Sequence, residues 1–218
     1  MGHVWLRDLR HVGSLIRDVS GADAVSGALA SRRGVVVLAP HLGNWEVLGL
    51  HLACLGPVVS LYEAPQIDEL AGLLRRSRER SGARLMPTTG RGIAALVRSV
   101  RAGGIAGILP DQVPRALNAG LNVSFMNVPC FTGTLACKVI QRSGALAVFG
   151  FAQRLPGGFH IRYLQAEDAI YSSDMAHSLA AMNRGVETCV RYCPEQYQWE
   201  YKRFRERPVQ HADPYNAR

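Results

Sequence analysis

The chain has 218 residues, of which 48% are hydrophobic and 19% are charged, and its formal net charge is +8. That length and composition suit one domain with an extended core and exclude more than one domain plus a short appendage. The positive charge favours an anionic partner: nucleic acid, an anionic membrane face or an acidic carrier protein. Only Lys138 and Lys202 among the 25 basic residues are lysine, which reflects either anion binding by arginine or a GC-rich genome.

The cysteines and the N-terminal region indicate where the protein works. Its five cysteines are odd in number and include no CxxC pair, so we expect reduced, mostly buried thiols in a cytosol-facing protein. Residues 1–31 mix arginine and aspartate with apolar residues and lack a signal peptide. No segment has the ~20 apolar residues that a membrane-spanning helix needs. Any membrane contact is therefore expected to be peripheral.

The first half of the chain alternates short apolar runs with helical patterns. After an N-terminal helical arm over residues 1–31, the predicted strands are Gly34–Ala39, Pro57–Tyr62, Arg84–Pro87 and Gly104–Leu109. The predicted helices between them are Trp45–Leu55, Ile67–Ser81 and Gly92–Arg101. This alternation predicts an α/β fold with a mainly parallel central sheet flanked by helices.

The second half starts with a predicted loop over residues 111–129 and a helix from Thr132 to Arg142. A buried strand, Ala145–Arg154, and a Pro-Gly-Gly turn precede Phe159–Leu164, which we expect to pair with it in antiparallel fashion. A last helix spans residues 175–192. No linker divides the chain, so we predict a single domain over residues 1–208 and a C-terminal tail over residues 209–218.

His41 and Glu46 follow the first predicted strand, where ligands bind in open α/β sheets. About half a His-x4-acid match is expected by chance in a chain of this composition, and His3 with Asp8 is a second match. If the chain bends between strand and helix, however, Glu46 can reach back to one imidazole nitrogen. Gly43 permits a tight turn there, and Asn44 is a good N-cap for the following helix.

That arrangement suits general-base chemistry. A carboxylate that holds one N–H of a neutral imidazole fixes its tautomer and strengthens the base on the other nitrogen. His41 could then take the proton of an alcohol that attacks a carbonyl or a thioester. Two alternatives remain open on spacing alone: His41 caps the helix while Glu46 is solvated, or His41 binds zinc, for which HxxxxE is not a familiar pattern.

Several blocks of the sequence together resemble the bacterial lipid A biosynthesis acyltransferase family. VVVLAPHLGNWEVLG resembles its first motif, VVSLYEAPQIDELAGLLRRSRERSGARLMP its second block, and GGIAGILPDQVPR its Asp-Gln motif. VSFMNVPCFTGTLACKVIQRSGALAVFGFAQR is similar to a phosphate-site-like loop, helix and strand, and PEQYQWEYKRFRERP to the C-terminal signature. The blocks occur in the family's order and cover roughly residues 15–208, which makes the resemblance specific.

The resemblance implies a fold like that of glycerolipid acyltransferases, with His41 as general base and Glu46 as its orienting partner. A fatty acyl chain would pass directly from acyl carrier protein or coenzyme A to a hydroxyl of a membrane glycolipid such as a lipid A precursor. Backbone amides at the start of the Asn44 helix are candidate oxyanion donors. The resemblance implies no metal or cofactor and a location at the cytoplasmic face of the inner membrane.

The remaining candidates for substrate binding each have a plainer alternative. Arg76 and Arg78 belong to an arginine-rich helix end that is either an anion site or a solvated face. Asp111 and Gln112 follow a strand and a proline, so we expect them at the same sheet edge as His41, where they hold a sugar or phosphate or a loop of the protein itself. Arg115 is a candidate anion contact in the following loop. Thr132 either binds an anion at a helix N-terminus or caps that helix. Asn44, at the start of the helix after His41, is a further candidate for substrate binding.

Two departures from the family pattern put lipid A itself in doubt as the acceptor. Glu63 follows Tyr62 where the family has arginine, and Phe125-Met126-Asn127 replaces Phe-Phe-Gly. The usual N-terminal membrane helix is also missing from this sequence, so we expect a shortened relative or a fragment. Two hypotheses compete with the acyltransferase: a basic nucleic-acid-binding α/β module, which lacks any recognised nucleic-acid motif, and a catalytically inactive lipid-binding relative.

Overall fold

The computed structural model describes residues 2–62, 68–206, 208 and 215. Within these residues nine strands are present. In chain order they are β1 Ile16–Ser20, β2 Val35–Leu38, β3 Val58–Tyr62, β4 Arg84–Pro87, β5 Ile105–Ile108, β6 Gly120–Phe125, β7 Val128–Gly133, β8 Leu146–Leu155 and β9 Gly158–Gln165.

Eight α-helices occur in the same part of the chain. They are α1 Gly2–Leu6, α2 Leu9–Ser14, α3 Ala22–Ala30, α4 Trp45–Leu55, α5 Asp68–Glu79, α6 Gly90–Arg101, α7 Leu135–Ser143 and α8 Met175–Tyr192. No helix of the described residues is both long and apolar enough to cross a membrane.

Seven strands form one sheet in the order β1-β9-β8-β2-β5-β3-β4. All neighbours in it are parallel except β8 and β9, which pair in antiparallel fashion. This confirms the α/β class, the mainly parallel sheet and the predicted hairpin. β2 lies at the centre with β8 and β5 on either side, which explains why its four residues, VVVL, are all buried.

Helices cover both faces of the sheet. One core cluster joins α1–α4 to the sheet through side chains such as Val12, Val25 and Leu48, which pack with Val35 and Val37. The other cluster joins α6, α7 and α8 to the opposite face. Because successive side chains of a strand point to opposite faces, Val36 and Leu38 of β2 belong to this second cluster.

The structure corrects the sequence-based prediction in two regions. The predicted helical arm over residues 1–31 contains β1, which joins the edge of the sheet parallel to β9. Residues 120–133, predicted as a loop and the start of a helix, form the antiparallel hairpin β6–β7, and α7 begins at Leu135. Met126 and Asn127 have φ values of 51° and 62°, as a two-residue hairpin turn requires.

Candidate functional site

The candidate site lies where two neighbouring strands end. β2 and β5 are parallel partners in the centre of the sheet. His41 follows the carboxyl end of β2, and Asp111 follows the carboxyl end of β5. Since the carboxyl ends of adjacent parallel strands meet at one edge of the sheet, the two side chains are brought together although they lie 70 residues apart.

His41 and Asp111 are joined by two hydrogen bonds. The imidazole Nδ1 lies 2.8 Å from Asp111 Oδ1, and the backbone N–H of His41 donates to Asp111 Oδ2 over 2.9 Å. The Asp111 side chain is 3% exposed and that of His41 16% exposed. The carboxylate is therefore held inside the protein while the imidazole reaches the surface.

These contacts determine the tautomer of the imidazole. A carboxylate only accepts hydrogen bonds, so Nδ1 of His41 carries the proton and Nε2 has the free lone pair. The side-chain nitrogen of Gln112 lies 3.1 Å from Nε2 and donates to it. The structure thus holds Nδ1 of the imidazole against a buried carboxylate and leaves Nε2 beside an exposed amide.

A C-terminal strap, residues 194–206, holds the turn that carries His41. The Gly43 N–H donates to the carbonyl of Gln196, and the Gln198 N–H donates to the carbonyl of His41. The strap also contacts the loop after β5, where the Tyr201 hydroxyl accepts from the Val113 N–H over 2.8 Å. One segment therefore fixes both turns of the site.

Gly43 makes this close approach possible. Its φ is 61°, and a Cβ atom built there would lie 2.0 Å from the carbonyl oxygen of Ala152 in β8. A side chain would therefore both strain the backbone and displace β8. The predicted tight turn is confirmed, and it positions His41 over the end of the sheet.

Glu46 does not hold His41, contrary to the sequence-based prediction. Its carboxylate accepts from Arg78, with Nη2 2.8 Å from Oε1 and Nε 3.1 Å and 3.2 Å from the two oxygens. The Arg78 guanidinium also lies over the rings of Trp45 and Tyr62, at 4.7 Å and 5.4 Å from their centroids. The helix directs Glu46 towards α5, and Asp111 takes the place that was predicted for it beside His41.

An apolar cavity of about 150 Å³ lies beneath α4. Its walls come from α4, β3, β5 and residues 83–85, and Glu46 and Arg78 stand among its otherwise mostly apolar lining. The Arg78 guanidinium that lines this cavity is paired with Glu46 and lies over two aromatic rings. Arg78 is thus part of the cavity wall.

A polar groove of about 480 Å³ shares Trp45 with this cavity. His41 lines this groove, and Trp45 lines both the groove and the apolar cavity. The remaining lining comes from Gly43, from Arg154 and from strap residues, among them Glu195 and Glu200. A base, a polar groove and an apolar cavity therefore meet at one aromatic side chain.

Two residues predicted to bind substrate are buried instead. Asn44 is 2% exposed, and its Oδ1 accepts from the Val47 N–H, so only its predicted role as the N-cap of α4 is confirmed. Thr132 is fully buried in β7, where its hydroxyl accepts from Arg203 and from Asn183. Neither the helix N-terminus nor the anion site predicted at Thr132 exists there, because the helix begins three residues later.

The other predicted residues are placed as follows. Asp111 and Gln112 lie at the same sheet edge as His41, as predicted, but Asp111 is buried and its carboxylate is bonded to His41, so it is not open to substrate. Arg115 is exposed in the loop after Gln112. Arg76 is exposed on α5, two residues from Arg78, and is not among the residues that line the groove.

The two departures from the family pattern have different outcomes. Glu63 lies outside the described residues. Phe125 ends β6 and packs against the rings of Tyr197 and Phe204, while Met126 and Asn127 form the hairpin turn. The segment that resembled a phosphate-site loop is therefore a hairpin whose end supports the strap, and its altered residues lie in the turn.

The thiols of the protein are free, and four of the five are buried. Burial raises the pKa of the Cys193 thiol to about 11, with the nearby Glu195 acting in the same direction. It likewise raises the pKa of Cys130, Cys137 and Cys189. None of these four buried thiols is an activated thiolate. Within the described ranges, no group of three or more His, Cys, Asp or Glu side chains is arranged to bind a metal ion.

The role of the strap was not predicted from the sequence. PEQYQWEYKRFRERP combines aromatic with basic residues, a composition that suits either core packing or a membrane interface. In the structure Tyr197 and Arg203 are buried, whereas Trp199, Lys202 and Arg205 are exposed. Arg207 lies outside the described residues. The only sequence signal for the strap was its resemblance to the C-terminal signature.

Known proteins resemble the chain over most of its length. The family model described as "Bacterial lipid A biosynthesis acyltransferase" matches residues 1–206. A "Lipid A biosynthesis palmitoleoyltransferase" of Escherichia coli K12 is 25% identical over 200 residues, which cover 91% of this chain and 64% of the relative. A "Lipid A biosynthesis acyltransferase" of Shigella flexneri gives the same values.

A third relative is a "Lipid A biosynthesis lauroyltransferase" of Escherichia coli K12, 23% identical over 193 residues, or 88% of this chain and 62% of the relative. The chain thus spans less than two thirds of the length of the curated relatives that it matches. These matches favour the acyltransferase hypothesis over the nucleic-acid-binding alternative.

Proposed function

Because the chain belongs to the bacterial lipid A biosynthesis acyltransferase family, we propose that it transfers a fatty acyl chain from a thioester to a hydroxyl of a membrane lipid such as a lipid A precursor. The observation that carries the proposal is the His41–Asp111 pair, whose basic Nε2 faces a groove beside an apolar cavity. The donor is acyl carrier protein or coenzyme A, both of which present the acyl group as a thioester.

His41 acts as the general base in the proposed reaction. Its Nε2 takes the hydroxyl proton as the alcohol oxygen attacks the thioester carbonyl, so the C–O bond forms while the imidazole becomes charged. When the tetrahedral intermediate collapses, the C–S bond breaks and the leaving thiolate takes that proton. Asp111 stabilises the transient imidazolium and keeps Nδ1 protonated. The Gln112 amide turns from Nε2 to the incoming hydroxyl.

The start of α4 supplies donors for the oxyanion. The amides of Gly43 and Asn44 already donate to Gln196 and Ala152. Those of Trp45 and Glu46 donate to no acceptor within the described residues, as is usual in the first turn of a helix. They are the backbone groups best placed to stabilise negative charge beside His41.

The two cavities suit the two halves of the reaction. The apolar cavity beneath α4 takes part of the acyl chain, because burying methylene groups there removes them from water. The polar groove takes the head group of the acceptor. Trp45 lines both, so the thioester carbonyl and the attacking hydroxyl meet beside it and beside His41.

We place the protein at the cytoplasmic face of the inner membrane, bound peripherally, because its acceptor is a membrane lipid. The net charge of +8 suits an anionic lipid surface. On the strap, Lys202, Arg205 and the half-exposed Trp199 point outward near the groove. Cations combined with tryptophan are typical of side chains at a membrane interface.

A transfer assay tests the proposal. The purified chain is incubated with a lipid A precursor in anionic vesicles and with radiolabelled lauroyl-acyl carrier protein or lauroyl-coenzyme A in separate reactions. We expect acylated lipid with at least one donor, and a loss of at least about 100-fold in kcat for His41→Ala, because the general base is removed. Asp111→Asn should lose a similar factor, because the amide cannot stabilise the imidazolium.

His177→Gln is the matched control, because this histidine is exposed on α8 away from both cavities. It should retain the parent rate. No transfer by the folded parent with either donor would contradict the proposal, and vesicle binding without transfer would favour the inactive lipid-binding relative. Parent-level transfer by His41→Ala would remove His41 from the mechanism.

A further inference from the structure

A leucine is exposed to solvent on the loop that leads away from the site. The Leu117 loop, residues 113–119, follows Gln112, and its last three residues form one turn of 3-10 helix. Leu117 is 81% exposed, and Leu121, two residues beyond the loop in β6, is 41% exposed. Single exposed leucines are ordinary in soluble proteins, so the surroundings of this one decide whether it has a partner.

The rest of the protein holds this loop at both ends. At its start, the Val113 N–H donates to the hydroxyl of Tyr201 in the strap over 2.8 Å. At its end, the carbonyl of Ala119 accepts from the backbone N–H and from the hydroxyl of Thr134, over 2.9 Å and 3.1 Å. Because the backbone is fixed on either side of Leu117, the exposure of this side chain is a property of the fold.

The chain around the loop carries positive charge and no acid. Residues 112–166 contain no Asp or Glu, so all 17 acidic residues lie in the rest of the sequence. Within this stretch, Arg115 is exposed in the loop itself and Lys138 is exposed in the first turn of α7. The neighbouring strap carries exposed charges of both signs, Lys202 and Arg205 against Glu195, Glu200 and Glu206. The excess of positive charge therefore comes from the acid-free stretch, and it suits an anionic partner.

The loop also lies next to the candidate base. Gln112, which precedes it, places its side-chain nitrogen 3.1 Å from Nε2 of His41, and the strap that holds the loop carries Trp199, which is 50% exposed. Leucine, tryptophan and cations together are typical of protein surfaces at the boundary between lipid head groups and acyl chains. An acidic protein would match the charge but would need a complementary pocket for Leu117, whereas a bilayer takes up an isolated apolar side chain anywhere on its surface.

We propose that the Leu117 loop is a membrane-docking element, in which Leu117 enters the acyl-chain region of an anionic bilayer while Arg115 and Lys138 remain among the head-group phosphates. Docking at this loop brings the groove that His41 lines to the surface in which a lipid acceptor lies. The effect of docking on turnover rests on the proposed function, whereas the binding of lipid vesicles does not.

Vesicle sedimentation tests the inference. The purified parent and its variants are mixed with phosphatidylcholine vesicles that either contain or lack phosphatidylglycerol. Leu117→Asp should bind the anionic vesicles at least about tenfold more weakly, because it loses the transfer of a leucine out of water and adds a negative charge. Leu117→Phe should bind as the parent does, because the side chain stays apolar. Lys138→Gln should weaken binding about fivefold, and only to vesicles with phosphatidylglycerol.

Leu6→Asp is the matched control. Leu6 is 74% exposed, but it belongs to α1, whose buried residues pack on the face of the sheet opposite to that of the strap and the β6–β7 hairpin. It should bind vesicles as the parent does, and both aspartate variants should keep the parent melting temperature because both leucines are exposed. Parent-level vesicle binding by Leu117→Asp, or equal losses in the two variants, would overturn the inference.

Transfer assays separate docking from chemistry. With the acceptor in vesicles, Leu117→Asp should lose transfer in proportion to its loss of binding, whereas with a short-chain, water-soluble acceptor it should transfer at the parent rate. A parent that binds vesicles but transfers no acyl group would refute the proposed function and leave the docking element intact. If Leu117→Asp binds vesicles normally but binds acyl carrier protein more weakly, the loop is a protein-docking surface and the inference is wrong.

Discussion

At the scale of single residues, Glu46 shows how a buried carboxylate near the base can serve an ion pair and not proton transfer. Its side chain is 5% exposed, yet its partner Arg78 satisfies both carboxylate oxygens and lies between two aromatic rings. Removing one member of such a pair leaves the other desolvated and unpaired. The pair therefore stabilises the wall between α4 and α5.

We predict that Glu46→Ala lowers the free energy of unfolding by about 2 kcal/mol, less than for a fully buried pair because Arg78 is 21% exposed. Urea denaturation measures the loss. Glu79→Ala, which removes the exposed partner of Arg75 within α5, should cost less than about 0.5 kcal/mol. Equal losses in the two variants would contradict the structural role given to Glu46.

At the scale of elements, the strap depends on one buried arginine. Arg203 is 3% exposed and donates to the carbonyl of Phe131 over 2.7 Å and to the hydroxyl of Thr132 over 2.8 Å. Its guanidinium also lies 5.7 Å from the centroid of the Phe125 ring. The strap is thereby attached to the β6–β7 hairpin as well as to the turns that carry His41 and Asp111.

Arg203→Ala should therefore destabilise the protein by about 3 kcal/mol, since it removes the donor to the Phe131 carbonyl and one of the two donors to the Thr132 hydroxyl, and opens a cavity. Arg205→Ala is the matched control, because Arg205 is exposed and its guanidinium lies over the ring of Tyr201; it should cost less than about 1 kcal/mol. Thermal melting of both variants provides the comparison. If only Arg205→Ala lowered the melting temperature, the strap would depend on an exposed contact and not on the buried Arg203.

At the scale of the whole molecule, buried thiols and phenols make the fold sensitive to alkali. Burial raises the pKa of Cys130, Cys137 and Cys189 above the ordinary value of 9.0, and that of Tyr163 and Tyr197 above 10.0. Above pH 9 the unfolded chain loses these protons while the folded protein keeps them. Folding stability must then fall as the pH rises, because the native state binds more protons than the unfolded state.

We predict that the melting temperature declines between pH 8 and pH 10, with each protonated thiol contributing about 1.4 kcal/mol per pH unit above its unfolded pKa. Cys189→Ala isolates one group: the variant should be less stable than the parent at pH 8 but lose less on going to pH 10. A parent whose stability is constant over this range would contradict the prediction.

The sequence by itself determined the elements whose pattern is local. The apolar runs of β2 and β5, the N-cap at Asn44 and the turn at Gly43 all follow from residues within a few positions of one another. The sequence also indicated that His41 and Asp111 emerge at one edge, because carboxyl ends of parallel strands face the same way. The resemblance of several sequence blocks to a known family indicated the family and supported His41 as the candidate base.

Only the tertiary structure decided which residues meet. Asp111 partners His41 because β5 lies next to β2 in the sheet, and strand order is set by packing between distant segments, not by local periodicity. The same holds for β1 at the sheet edge and for Tyr197, which pairs with Leu42 beside His41. Glu46, close to His41 in sequence, points instead to Arg78, because the helix turns its side chain away. Proximity along the chain fixes backbone turns, whereas the partner of a buried charge depends on the whole fold.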